Sequence, residues 1–197
     1  FWYWGEGKNI SLSYFVRLNL PSKTHFNINM AFSLAIYDIL KTLIPDKEIK
    51  IKWPNDIYIG SKKIGGILIQ NALRGMQLNN SVLGIGINVN QKQFPDNIPN
   101  PTSILLETGG EINLLDFIPM IHPFVEKRLS QLAHDDDTLR LAYLNALYAL
   151  NRVHTFRDDN GVFEGMITGI TPEGKLEVAS SGQTRSYNFR EVSYIIK

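Results

Sequence analysis

The chain has no cysteine. That excludes disulfides and thiolate metal centres, and it fits a reducing, cytoplasmic compartment. Charge of one sign is missing too: 20 Lys and Arg stand against 19 Asp and Glu, a formal net charge of +1. Charge alone therefore makes no case for a nucleic-acid partner. No apolar run nears the roughly 18 residues that a membrane-spanning helix needs. The opening FWYWGEGKN has neither the basic start nor the apolar stretch of a signal peptide, and without an initiator Met the chain reads as a fragment. No GxxxxGK[ST] phosphate loop and no GxGxxG is present. His25, His122, His134 and His154 show no metal-ligand spacing, and Ser103 sits in no nucleophile elbow. Internal repeats and low-complexity runs are absent.

What is there is an ordinary globular composition, 44% hydrophobic and 20% charged over 197 residues. That length allows one full domain and a small second one. In NISLSYFVRLNL, the residues Ile10, Leu12, Tyr14, Val16, Leu18 and Leu20 alternate onto one face, which predicts a strand that Pro21 ends. Over residues 24–44 the apolar positions, among them Phe26, Met30, Leu34 and Leu40, recur at helical spacing. Thr24 is placed to cap that helix and Pro45 to stop it. IKIKW is a short strand, broken at Trp53, Pro54, Asn55 and Asp56. IYIG and KKIGGILIQNAL follow as a hairpin through Gly60, Ser61 and Lys62, then RGMQLNN as a second turn and SVLGIGINVN as a strand. Strands this closely spaced predict a mostly antiparallel or mixed sheet. Thr102 and Ser103 open a short helical segment through Glu107, closed by Gly109 and Gly110. Longer helices are expected over residues 114–132 and 138–150. Beyond residue 150, short strands separated by turn residues predict a small barrel. A core that small is marginal alone, so the barrel is expected to dock on the first unit.

Three features could carry chemistry. Lys52 ends a strand and is followed by Pro54, which removes a backbone donor and fixes the turn. A lysine held this way can neutralise a phosphate or a developing oxyanion; it can equally be a solvated strand end. Asn55 and Asp56 could orient Lys52 or bind a ligand or Mg²⁺, or serve simply as turn residues. Gly84 and Gly86 lie two apart in a strand and face one side, so a flat ligand could approach the backbone there, with Asn88 at the end of that face. A bulge or tight helix packing would explain the same glycines. Gly65 and Gly66 raise the same pair of readings. The aromatic start, Phe1, Trp2, Tyr3 and Trp4, could stack on a base or fill the core of an edge strand.

Taken together, KWPND at 52–56, KKIGGIL at 62–68, GIGINVN at 84–90 and PTSILLETG at 101–109 resemble the biotin protein ligase family in order and spacing. Trp2 and the GKN at 7–9 resemble the family's W-x-S-E-P-G-K-N stretch, with Trp4, Gly5 and Glu6 departing from S-E-P. The family's GRGxxG loop, and the Ser-Thr and Gln that grip biotin, would precede Phe1, and no winged-helix DNA-binding segment is visible.

The resemblance implies an α+β fold, with a mixed β-sheet packed with helices as a ligase catalytic domain over residues 1–150. An SH3-like C-terminal β-barrel follows over 151–197. It implies activation of biotin by MgATP to biotinyl-5′-AMP and pyrophosphate, then transfer to a lysine of a biotin carboxyl carrier protein or domain. Lys52 would be the catalytic lysine and, with Ile57, Gly84 and Gly86, would bind biotin. Trp2 and Asn88 would bind the nucleotide. Trp53, Pro54, Asn55, Asp56, Gly65 and Gly66 would support the site. No metal ligand is assigned, no membrane contact is implied, and a sheet-edge homodimer is open to the family. The rival readings are a lipoate ligase or octanoyltransferase of the same fold, and a non-catalytic protein that binds biotin or a carrier domain.

Overall fold

Alternating side chains decide which way the first sheet faces. The computed structural model describes residues 7–21, 24–132 and 136–196. In it, β1 (Asn9–Pro21), β2 (Ile49–Lys52), β3 (Asp56–Ile59), β4 (Lys62–Arg74) and β5 (Gln77–Asn88) form one sheet in the order β1-β5-β4-β3-β2. Every pairing in it is antiparallel, which decides between the two sheet types expected. The turns between β3 and β4 and between β4 and β5 have Gly60 and Gly75 at φ of 56° and 62°, the left-handed conformation that two-residue hairpins require. One face carries Ile10, Ile49, Ile51, Ile57, Ile59, Ile67, Leu83, Ile85 and Ile87, all buried.

Helix α1 (His25–Leu43) covers that apolar face. The helices α3 (Leu114–Gln131) and α4 (Asp136–Ala146) pack on it in turn, so α1 is buried nearly all round, from Phe26 to Leu40. The Arg128 guanidinium donates from Nε and Nη2 to the Asp38 carboxylate at 2.7 and 3.0 Å and fixes α3 to α1. The short α2 (Ile104–Thr108) is bounded as its residues predict: Ser103 Oγ accepts from the Leu106 N–H, and Gly109 closes the end at φ 76°.

Two expectations differ from what is found. Thr24 does not cap α1; its hydroxyl donates to the Pro21 carbonyl at 2.7 Å. The last helix ends at Ala146 rather than near residue 150, because residues 147–151 bond to both sheets. Tyr148 N–H donates to Ile51 O at 2.8 Å, and Asn151 N–H donates to Ile167 O at 2.9 Å. Ala149 and Asn151 adopt φ of 64° and 55°, which a helix cannot continue through.

The second sheet is made of β6 (Val153–Asp158), β7 (Gly161–Ile170), β8 (Leu176–Ser180), β9 (Gln183–Tyr187) and β10 (Ser193–Tyr194), in the order β10-β6-β7-β8-β9. Its buried Phe156, Ile167, Ile170, Leu176 and Val178 belong to the same apolar cluster as the first sheet. Docking, expected from the unit's small core, is therefore observed. Among the described residues no helix is long and apolar enough to cross a membrane.

The joint between the sheets is a close backbone approach. The Trp53 indole N–H donates to Gly174 O at 2.9 Å, and a Cβ built on Gly174 would lie 2.2 Å from Phe26 Cγ. Gly174 also has φ 91°. Gly174→Ala should therefore lose about 2–4 kcal/mol of unfolding free energy in urea titrations, from overpacking together with left-handed strain.

Candidate active site

Antiparallel register draws one row straight across the first sheet. Lys52 lies opposite Asp56, Asp56 opposite Gly66, Gly66 opposite Gly86, and Gly86 opposite Ser11. Directly opposed residues share a face. These five therefore project away from α1, on the side opposite Ile51, Ile57 and Ile87. The neighbouring row is Ser13, Gly84 and Leu68, where Leu68 is 63% exposed. The middle of this face is thus backbone without side chains, with Gly66 and Gly86 buried and Gly84 half-buried, bordered by two serines, one leucine and a line of charges. At Gly84 an added Cβ would meet Leu68 O at 3.4 Å and Leu68 Cβ at 3.7 Å, so packing beneath does not demand glycine there. Gly65 is different. It lies on the core face opposite Ile57 and Ile87, and a Cβ would come within 3.1 Å of Gly86 O, so it serves close packing.

A bulge adds a second lysine to this face. The β3–β4 register shifts between Ile57 and Tyr58: Gly65 opposes Ile57 while Lys63 opposes Tyr58, leaving Ile64 as the extra residue. Lys63 consequently points to the same side as Gly66. Its Nζ lies 2.6 Å from Asp56 Oδ1. Its backbone is held by Lys63 N–H donating to Asn100 O at 2.7 Å and Thr102 N–H donating to Lys63 O at 2.9 Å. Sequence reasoning named the segment around Lys63 but not the residue. Nothing in the sequence marks the bulge, which depends on the register between two strands.

Lys52 shares the row but not the centre. Its Nζ lies 5.3 Å from the ring centroid of Tyr58 and 5.0 Å from that of Tyr194. Burial pushes its ammonium below the usual lysine range, Asp56 opposes that shift and Lys63 adds to it. The amine is thus half-buried between aromatic rings rather than out in solvent. However, β2 is three strands away from β5, roughly 14 Å between backbones at ordinary strand spacing. Lys63 is on β4, which pairs with β5 directly.

The turn between the two short strands is clamped on several sides. The Trp53–Pro54 bond is cis. Trp53 is buried, Pro54 O accepts from the Tyr143 hydroxyl at 3.2 Å, and Asn55 bonds to Ile67 in both directions, Nδ2 to its carbonyl at 2.6 Å and carbonyl from its N–H at 2.9 Å. Asn55 is therefore committed to holding β4. Asp56 alone of these residues turns a charge to the open face.

The remaining expected site residues fall as follows. Asn88 is buried at the end of the glycine face, and its amide donates to Thr102 O at 2.9 Å, fixing the segment before α2. Ile57 has no exposure and packs in the core. It cannot line the glycine face, because it adjoins Asp56 in the chain and neighbours in a strand point to opposite sides. Trp2 and the rest of the aromatic start lie outside the described residues. Among the described residues no cluster of three His, Asp or Glu could hold a metal ion. Ser11, Ser13 and Leu68 were missed, although the alternation that put Ile10 and Leu12 on one face also put the serines on the other.

The Tyr58 phenol is pushed up to about 12 by burial first, then by Asp56 and Tyr148. In the unfolded chain it titrates near 10. Between these values the folded state keeps a proton that the unfolded state has lost. The stability this tyrosine contributes is thus complete below about pH 10 and is lost as pH rises toward 12. Tyr58→Phe should make the alkaline fall in stability shallower, as measured by denaturant titrations across that range.

Comparison with known proteins bears on the family and the fold. Residues 3–88 match the family described as "Biotin/lipoate A/B protein ligase family", and residues 155–193 match "Biotin protein ligase C terminal domain". The "Bifunctional ligase/repressor BirA" of Bacillus spizizenii is 30% identical over 179 residues, 89% of this chain and 55% of the relative. The "Biotin--[acetyl-CoA-carboxylase] ligase" of Paracoccus denitrificans is 27% identical over 157 residues, 76% of this chain and 65% of the relative. The chain thus spans about half the length of the Bacillus relative. The solved "Biotin protein ligase from Aquifex aeolicus in complex with biotin and ATP" superposes with a TM-score of 0.76 at 19% identity, covering 96% of this chain and 79% of that one, which is a likeness of fold.

Proposed function

We infer that this chain, which belongs to the biotin protein ligase family, forms most of an ATP-dependent biotin–protein ligase. The carrying observation is the sheet face turned away from α1, on which Gly66, Gly84 and Gly86 place no side chain beside the Lys63–Asp56 pair. Residues 1–150 act as the catalytic unit and 151–197 as the C-terminal unit of a protein that acts in the cytoplasm.

Biotin's fused ring lies on the glycine face, flanked by Leu68 and the Ser11 and Ser13 hydroxyls. Its carboxylate attacks the α-phosphorus of ATP, giving the mixed anhydride biotinyl-5′-AMP and releasing pyrophosphate. The attack brings two anions together, and Lys63 offsets that repulsion from a fixed position. Asp56 holds the Lys63 amine in place. Lys52, the expected cation, has its amine against Tyr58 and Tyr194, which favours Lys63 for this role. Asn88 and the segment it anchors border the nucleotide; a nucleotide-binding role for Trp2 rests on the family resemblance alone. Mg²⁺ would come with the nucleotide's phosphates, since the described residues offer no cluster for it. In the second step the amine of an acceptor lysine, on a biotin carboxyl carrier protein or domain, attacks the anhydride carbonyl and expels AMP. No enzyme nucleophile is required; positioning and charge supply the rate.

In the full-length protein, biotin-dependent exchange of pyrophosphate into ATP tests the first step. Lys63→Met should lower the exchange rate by about 10²–10³ while leaving thermal unfolding close to that of the parent. Gly86→Val should abolish biotin binding by calorimetry, because its side chain would stand on the ligand face. Exclusive labelling of a lipoyl domain by lipoate, with none by biotin, would transfer the chain to the lipoate branch of the fold.

A further inference from the structure

A polar cavity of about 360 Å³ lies at the outer edge of β2, where the two sheets meet. Glu48, Lys50, Asn145, Tyr148, Arg152 and His154 supply its polar lining, and none of them belongs to the glycine face. Lys50 comes from β2, His154 from β6, and Arg152 from the residue between the 147–151 link and β6. These cationic groups have weak partners of their own. The Lys50 amine donates to Asn145 O at 3.1 Å and, among the described residues, forms no ion pair. Arg152 Nη2 lies 4.0 Å from Glu48 Oε1, with both side chains more than half exposed. An exposed pair at that distance contributes little, so a better acceptor can displace it. The His154 ring lies 5.5 Å from the Tyr148 ring, and among the described residues its side chain has no hydrogen bond.

We propose that this cavity is an anion site, separate from the glycine face, that takes a phosphate-bearing small molecule. Lys50 and Arg152 donate to its oxygens, His154 adds an N–H, and Glu48 gives up Arg152 to it. A planar guanidinium and an ammonium on facing walls suit the tetrahedral, multiply charged phosphate group. Two fixed cations against one carboxylate leave the lining with a positive excess, and a concave site concentrates that field. The wall that carries Tyr148 and Arg152 is already set. Tyr148 N–H is bonded to Ile51 O in one sheet, and Asn151 N–H to Ile167 O in the other. Little ordering is therefore left for a ligand to impose. Two sources share this chemistry. One is the pyrophosphate that the ligase reading releases; the other is a nucleotide whose base packs on the Tyr148 ring.

The test is a titration of the full-length protein with inorganic pyrophosphate at constant ionic strength, read at the His154 imidazole by NMR. The His154 signals, identified by their loss in His154→Gln, should shift and reach half-saturation below about 1 mM. Lys50→Met and Arg152→Met should each raise that concentration about tenfold. Glu48→Gln removes the competing carboxylate and should lower it about threefold, a gain that misfolding cannot imitate. AMP as a second probe separates the sources: tighter binding of AMP assigns the cavity to a nucleotide, and tighter binding of pyrophosphate to the released product. A His154 signal that does not move, an equal shift on adding sodium chloride alone, or half-saturation unchanged in both Lys50→Met and Arg152→Met would overturn the proposal. The titration needs no turnover. An absent shift with normal biotin-dependent exchange removes this site alone, and absent exchange with a saturating shift removes the ligase reading alone.

Discussion

A pleated strand can hide only every second side chain, and the first sheet is organised around that limit. Its isoleucine face is covered by α1, so whatever chemistry the sheet performs must be written in the residues between the isoleucines. Those residues are Lys52, Asp56, Gly66, Gly86 and Ser11 in one row and Leu68, Gly84 and Ser13 in the next. A register slip of one residue would exchange the two sets and put charges under α1. Burial of the apolar face therefore also fixes the placement of the polar one. The register shift nearest this row, the bulge at Ile64, brings Lys63 round to join it instead of leaving it on the core side.

The charges in that row are arranged around one carboxylate. Asp56 has Lys63 at 2.6 Å on one side and Lys52 opposite it on the other. Two ammonium groups against one carboxylate leave a local positive excess on a chain whose total charge is close to neutral. Partial burial strengthens such a field relative to the same charges in water. It also explains why the Lys52 ammonium is shifted downward while its neighbour Tyr58 is shifted upward: each resists carrying its charge in a confined space.

Much of this was legible beforehand. The alternation of Ile10 to Leu20, the glycine turns after Ile59 and Arg74, the Ser103 cap and the change of texture past residue 150 each carried a local physical signal, and each corresponds to an observed element. The glycines at 84 and 86 share one face of the sheet, as their spacing implied. What the sequence did not carry was cross-strand information. Lys63 acquires its partner only through a bulge, Lys52 acquires the Tyr194 ring from far along the chain, and Ile57 was assigned to the ligand face although its neighbour Asp56 already occupied it. Thr24 was misread because its hydroxyl turns back to the Pro21 carbonyl, a competing local bond, and the end of α4 because tertiary hydrogen bonds to Ile51 and Ile167 outcompeted the local preference.

Residues 147–151 impose a final constraint, on chain length. Their backbone reaches Ile51 in one sheet and Ile167 in the other within four positions, using left-handed turns at Ala149 and Asn151. Adding or deleting a residue there would force one of the two bonds to break, so this stretch should hold a fixed length wherever the arrangement persists. The tip between β4 and β5, exposed throughout from Gln70 to Gln77, carries no such double tether. Natural variation in length, and any engineered insertion of a peptide or reporter, belongs at that tip.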